Sequence, residues 1–170
     1  MDQEEKQRHH ELAQKLLSEQ NFPVAVIAGV VAMAVAAGIY AAITVAAGGV
    51  SYGLMATGIG VVIGFAIQFL GRGIGSKFAV LASVLAVAGC LLGNLLAVVL
   101  LVAKANAMSP LDLLVNMDLV GISEIIVADL QFADLLFWIL AIAAAAYFAK
   151  RKLTHEEGLA LHTYEMRSIQ

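Results

Sequence analysis

Two long apolar runs, 54–70 and 78–103, meet at a short polar turn, Gly71-Arg72-Gly73-Ile74-Gly75-Ser76-Lys77. A third run, 22–45, comes before them. A fourth ends at Ala149, directly ahead of Lys150-Arg151-Lys152. About twenty consecutive apolar residues cross a hydrocarbon core of about 30 Å. The pattern therefore predicts an all-α, polytopic membrane protein. Its four transmembrane helices form two hairpins, with spans at about 22–45, 54–70, 78–103 and 130–149. The start of the fourth is open. Residues 135–149 alone reach only about 22 Å at 1.5 Å per residue, so the helix must begin earlier and carry Asp134, with Asp129 near the same interface.

Inside the runs, small residues mark where helices can approach closely. Pro23 suits the first turn of its helix, where a missing N–H costs nothing. Gly48-Gly49 breaks the chain between spans one and two, and Tyr52 falls at interface depth. Gly60 and Gly64 share a face of span two, with Gly58 nearby, and Gly89 and Gly93 share a face of span three. These four glycines are the expected packing positions, closing the hairpin of spans two and three. Asn94 is the strongly polar side chain within span three. It reads either as an interhelical hydrogen bond or as a ligand for an ion or solute.

The polar segments complete the domain plan. Residues 1–21 form an arm in which His9, Leu12, Ala13, Leu16 and Leu17 recur at helical spacing, the signature of an amphipathic helix. Its partner is left open between the lipid surface, another subunit and the protein's own loops. Residues 22–149 form the membrane domain. Within it, 104–129 is a long outer loop, where Ser109-Pro110 starts a short amphipathic helix that Gly121 ends and a restart through Glu124 follows. Residues 150–170 read as a polar tail.

Composition sharpens this picture. The chain is 61% hydrophobic and 14% charged, with a mean hydropathy of +0.89. Soluble domains are about 45–50% apolar and about 25% charged. A net charge of −3 without a basic stripe gives no footing for nucleic acid. The acidic balance of the arm argues against binding anionic lipid and against a secretory signal. Cys90, the single cysteine, allows no internal disulfide. Arg72 and Lys77 lie between spans two and three, and Lys150, Arg151 and Lys152 follow span four. The outer loop instead holds Lys104 against Asp112, Asp118, Glu124, Asp129 and Asp134. The Lys/Arg bias places both termini and the 71–77 turn in the cytoplasm. Lys104 and the carboxylates Asp129 and Asp134 then form an expected outer ion pair.

Several short stretches also carry a resemblance: Ala42-Ile43-Thr44-Val45, Gly58-Ile59-Gly60 with Gly64, Gly71-Arg72-Gly73-Ile74, Cys90-Leu91-Leu92-Gly93-Asn94 and Asp134-Leu135-Leu136-Phe137. Together, over about 22–150, they resemble small bacterial four-span inner-membrane proteins of unassigned function. The resemblance implies a bacterial inner membrane and no chemistry.

Three function classes remain. The leading expectation is a structural or accessory membrane protein acting through helix packing, as a homo-oligomer or as a subunit of a membrane complex. The alternative is a small transporter or channel for an ion or small solute, drawing on Asn94, Thr44, Thr57 and Ser83. Against it, no charged residue lies at mid-span, where coupling ions usually need one. An enzyme is not expected, because no span contains a Ser/His, Asp/Asp or His/Glu set. No cofactor is expected. His155 and His162 would share a helix face, and with His9 and His10 a metal site can be imagined, but no metal motif frames them.

Overall fold

The computed structural model describes residues 3–50, 53–116, 132–151 and 153–168, and every structural statement refers to these. Every regular element among them is a helix: α1 (Gln3–Ser18), α2 (Phe22–Ala46), α3 (Gly53–Gly71), α4 (Ser76–Asn106), α5 (Pro110–Asn116), α6 (Phe132–Phe148) and α7 (His155–Ser168). Tyr52, Asp118, the Gly121 break, the restart through Glu124, Asp129 and Lys152 lie outside the described residues.

The helix ends follow from local chemistry. The Asn21 side chain accepts the Val24 N–H at 3.2 Å, and Pro23 occupies the first turn of α2. Both satisfy or remove donors that a helix start leaves unpaired. At the other end Gly48 and Gly49 turn the chain at φ +74° and +93°, a region open to glycine at little cost. Lys104 lies in the last turn of α4, where a cation suits the helix dipole. Thr154 and Glu157 form a reciprocal cap for α7. The Thr154 N–H donates to Glu157 Oε2 at 2.8 Å, and the Glu157 N–H donates to Thr154 Oγ1 at 3.4 Å. The polar tail thus forms a helix.

α2, α3, α4 and α6 make a bundle. α3 and α4 lie at its centre and touch one another. α2 packs on both from one side and α6 packs on both from the other, and α2 and α6 do not meet. α3 and α6 run in the same direction. The core is built from Ile59, Ile63 and Ile67 of α3, Phe78 of α4, Tyr40 of α2 and alanines of all four helices.

The hairpin of α3 and α4 closes differently from the sequence expectation. Gly60 and Gly64 do not face α4. A Cβ added at Gly60 would fall on the Ala141 carbonyl of α6. One at Gly64 would lie 2.8 Å from Phe148 Cβ and 2.9 Å from the Ala145 carbonyl oxygen. The reason is angular: neighbours on a helix differ by about 100°, so the Ile59–Ile63–Ile67 stripe takes the α4 side and turns the glycines to α6. Gly89 and Gly93 of α4 instead receive large side chains. Ile59 Cγ2 and Met33 Cγ come within 2.9 and 3.2 Å of a Cβ at Gly89, and Tyr40 Cδ1 within 3.0 Å of one at Gly93.

The outer surface of the bundle is apolar. Ile27, Leu54, Phe69 and Val80 are 66%, 72%, 72% and 62% exposed. α2, α3 and α4 are each long and apolar enough to cross a membrane, and at most a third of their most apolar stretch is buried inside the protein. Surfaces of this extent need an apolar medium around them. α6 is apolar and shorter, with 17 residues and Asp134 in its first turn.

Candidate functional site

The polar structure of the molecule concentrates at one end of the bundle. There the α1–α2, α3–α4 and α6–α7 connections converge. The Asn21 N–H donates to the Gly71 carbonyl at 3.0 Å, and the Arg151 N–H donates to the Gly73 carbonyl at 2.9 Å. Gln68 Nε2 donates to the Lys150 carbonyl at 2.9 Å. Charges overlie this backbone clasp. Glu19 Oε2 lies 3.5 Å from Arg72 and 3.3 Å from Arg151. The other arm of Arg151 reaches Glu157 at 3.1 Å. The Thr154 N–H, the Thr154 hydroxyl and then Arg151 hold the Glu157 carboxyl below the usual glutamate range, against the effect of burial. Glu19, Gln68, Phe69, Arg72 and Arg151 line a cleft of about 550 Å³.

Arg72 has a special place in this clasp. It is in the left-handed region, with φ +47°, although a glycine stands on either side. Both glycines are committed to packing. A Cβ on Gly71 would lie 2.5 Å from Ala25 Cβ, and one on Gly73 would fall on the Phe78 ring. Only the middle position has room for a side chain, so the strained conformation falls to the arginine. Its side chain is 59% exposed.

The terminal helices form their own unit. α1 packs on α7 and on no other helix. Ala13, Leu16 and Ala160 are buried between them, and the His10 and Tyr164 rings lie 5.2 Å apart. The amphipathic arm therefore finds its partner in the C-terminal segment. His9 Nδ1 is buried without a hydrogen-bond partner. No group of three or more His, Cys, Asp or Glu side chains among the described residues could hold a metal ion.

The other sequence-selected residues are dispersed. Asn94 is half-buried near the middle of α4. The Thr44 hydroxyl is spent on the Tyr40 carbonyl at 3.0 Å and that of Ser83 on the Ala79 carbonyl at 2.8 Å. Thr57 Oγ1 is buried without a partner. Lys104 is exposed in the last turn of α4, and Asp134 stands in the first turn of α6. The sequence marked Arg151 only as one of the basic residues behind span four, left Gln68 to the headgroups without a partner and counted Glu19 only in the charge of the arm. The structure brings the three together. The available signal was Thr154-x-x-Glu157, which marks a helix start close behind Arg151.

No protein-family model, curated protein or solved structure matches the chain. The site therefore has to be read from its own geometry. That geometry offers binding and anchoring groups: guanidinium donors, an amide and an exposed aromatic ring. Among the described residues it assembles no nucleophile with a base.

Proposed function

We propose that the chain is a four-span integral membrane protein that works by helix association, as a homo-oligomer or as a subunit of a larger membrane complex. The spans are α2, α3, α4 and α6, in a bacterial inner membrane, with the termini and the 71–77 turn in the cytoplasm. The orientation draws its support from Arg72, Lys77, Lys150 and Arg151, which gather at the end that carries the termini. At 1.5 Å per residue α6 is about 25 Å long, enough to span if the bilayer thins slightly or the helix continues upstream.

The observation that carries the association reading is a difference among small residues. Gly29, Gly60, Gly64, Gly89 and Gly93 are each filled by a neighbouring helix. Ala34, Gly38 and Ala42 recur every four residues on the outward face of α2, and nothing within 4 Å covers Gly38. Small residues at that spacing let helices approach closely in lipid, where packing replaces the hydrophobic drive. The test is gentle solubilisation followed by native mass measurement and identification of co-purifying chains. A defined oligomer or a stoichiometric complex is expected. A monomer that carries solute flux in liposomes would move the assignment to a transporter, with Thr57 and Asn94 the first residues to examine.

A further inference from the structure

The cleft of about 550 Å³ at the clasp holds both signs of charge, with part of each unspent. Arg72 and Arg151 approach the same Glu19 oxygen, Oε2, at 3.5 and 3.3 Å. Arg151 gives its other terminal nitrogen to Glu157. Arg72 makes its one contact through Nη1, and its remaining donors have no partner among the described residues. Glu19 Oε1 likewise accepts no hydrogen bond among the described residues. Gln68 spends its amide nitrogen on the Lys150 carbonyl and keeps its own carbonyl oxygen as a further acceptor. A simple anion in this cleft would meet the Glu19 carboxylate, and a simple cation would meet two guanidiniums. Both meetings are repulsive. A zwitterion satisfies the two signs together. Phe69 adds an apolar edge. It is 72% exposed, its ring stacks on Phe65 at 6.0 Å, and it comes three residues before Arg72, about 4.5 Å along the helix.

We infer that this cleft binds a phosphoethanolamine group, its phosphate on Arg72 and its ammonium on Glu19 Oε1. The inference rests on the membrane reading above, which puts Phe69 on the hydrocarbon side of the charges. Ethanolamine holds its ammonium two carbons from a phosphate oxygen, a spacing that suits an acid and a base standing side by side. The planar guanidinium can take two phosphate oxygens in parallel hydrogen bonds. A primary ammonium has three N–H donors, and the Glu19 and Gln68 oxygens are there to receive them. Full methylation of the ammonium keeps the charge and removes every donor, so hydrogen bonds set phosphoethanolamine apart from phosphocholine. Charge sets it apart from phosphoglycerol. The same group is the headgroup of phosphatidylethanolamine and exists free in solution.

The test uses the full-length protein in nanodiscs of equal parts phosphatidylethanolamine, phosphatidylcholine and phosphatidylglycerol, with retained lipid counted by native mass spectrometry. Phosphatidylethanolamine should be retained about fivefold over either of the others, the upper end for one solvent-exposed ion pair. Its mono- and dimethylated forms should fall in steps between it and phosphatidylcholine. Glu19→Gln should abolish the lead over phosphatidylcholine, and Arg72→Gln should lower retention of all three lipids. Lys150→Gln removes a charge whose side chain does not line the cleft, and should change retention less than about twofold. Thermal melting checks that the clasp survives each substitution. If Glu19→Gln loosens it, the methylation series on the unaltered protein still decides. Equal retention of phosphatidylethanolamine and phosphatidylcholine, or a lead for phosphatidylglycerol, would overturn the site. Excess free phosphoethanolamine separates the two sources: displacement of the lipid supports a soluble ligand, and none supports the lipid headgroup. A protein that stays in the nanodisc but retains the three lipids equally refutes this inference alone. One that leaves the membrane without detergent refutes the membrane reading itself.

Discussion

The two flanking helices, α2 and α6, are both rich in alanine, yet they join the central pair in opposite ways. α6 is held by what is missing. Gly60 and Gly64 leave notches on α3, and the Ala141 and Ala145 backbone enters them. α2 is held through side chains: its Met33 and Tyr40 reach the notches at Gly89 and Gly93 of α4, shared with Ile59 of α3, and Leu85 and Ile67 enter the notch at its own Gly29. The first arrangement brings backbones together and leaves little to fill. The second holds α2 on α4 through long side chains and leaves the outer α2–α3 seam open as a groove. Small residues thus give close packing only where a partner's small residues come opposite. Elsewhere they make room for something larger.

The contrast can be broken most severely on the α6 side. Gly60→Leu puts a side chain where the Ala141 carbonyl lies, and backbone cannot move aside as a side chain can. A loss of about 3 kcal/mol is expected, at the upper end for overpacking, read as a large fall in melting temperature in detergent. Gly58→Leu, two residues away and facing open space, should leave the melting temperature unchanged. If the two behave alike, the notch account of α6 is wrong.

Tyr40→Ala attacks the other mode by emptying the notch at Gly93. In lipid the separated helices are already in an apolar medium, so the cavity term dominates and the transfer term is small. About 1–2 kcal/mol is expected, read as a fall in melting temperature in detergent. A smaller step concerns how α6 is tied at its end. Gln68→Leu removes the bond to the Lys150 carbonyl and should cost about 1 kcal/mol, seen as faster amide exchange at 149–151 with little change in α2.

The smallest effect separates the clasp from the bundle by pH. Glu157 is held below its ordinary range, so its contribution is complete at neutral pH. It is lost as pH falls from the ordinary glutamate range through the lowered value. Exchange protection of α7 should therefore drop below about pH 4, while α3 and α6 keep theirs. Glu157→Gln should remove that pH dependence. Equal acid sensitivity in α3 would show that clasp and bundle are one cooperative unit.

The apolar runs were legible because their length alone decides them. Pro23, Gly48-Gly49 and Ser109-Pro110 marked helix boundaries well, since a cap or a breaker acts locally. Partner choice was not legible. Gly60 and Gly64 announce a close contact without saying which helix enters it, because that depends on the neighbouring Ile59–Ile63–Ile67 stripe. The pairing of α1 with α7 was hidden for a similar reason. Each helix shows a short apolar face, and a contact across almost the whole chain leaves no local trace. The role of Glu19 was invisible because two arginines from different turns define it.

That end-to-end pairing sets a clock. During synthesis α1 emerges before its partner α7. At about 5–20 residues per second, the intervening stretch from Ser18 to His155 takes about 7 to 27 s to make. Throughout that interval Ala13 and Leu16 have no α7 to cover them. An assembly factor or the insertion machinery has that window in which to hold α1, and a nascent chain stalled before residue 155 keeps it open. The α1–α7 contact then reports that synthesis has passed all four apolar helices.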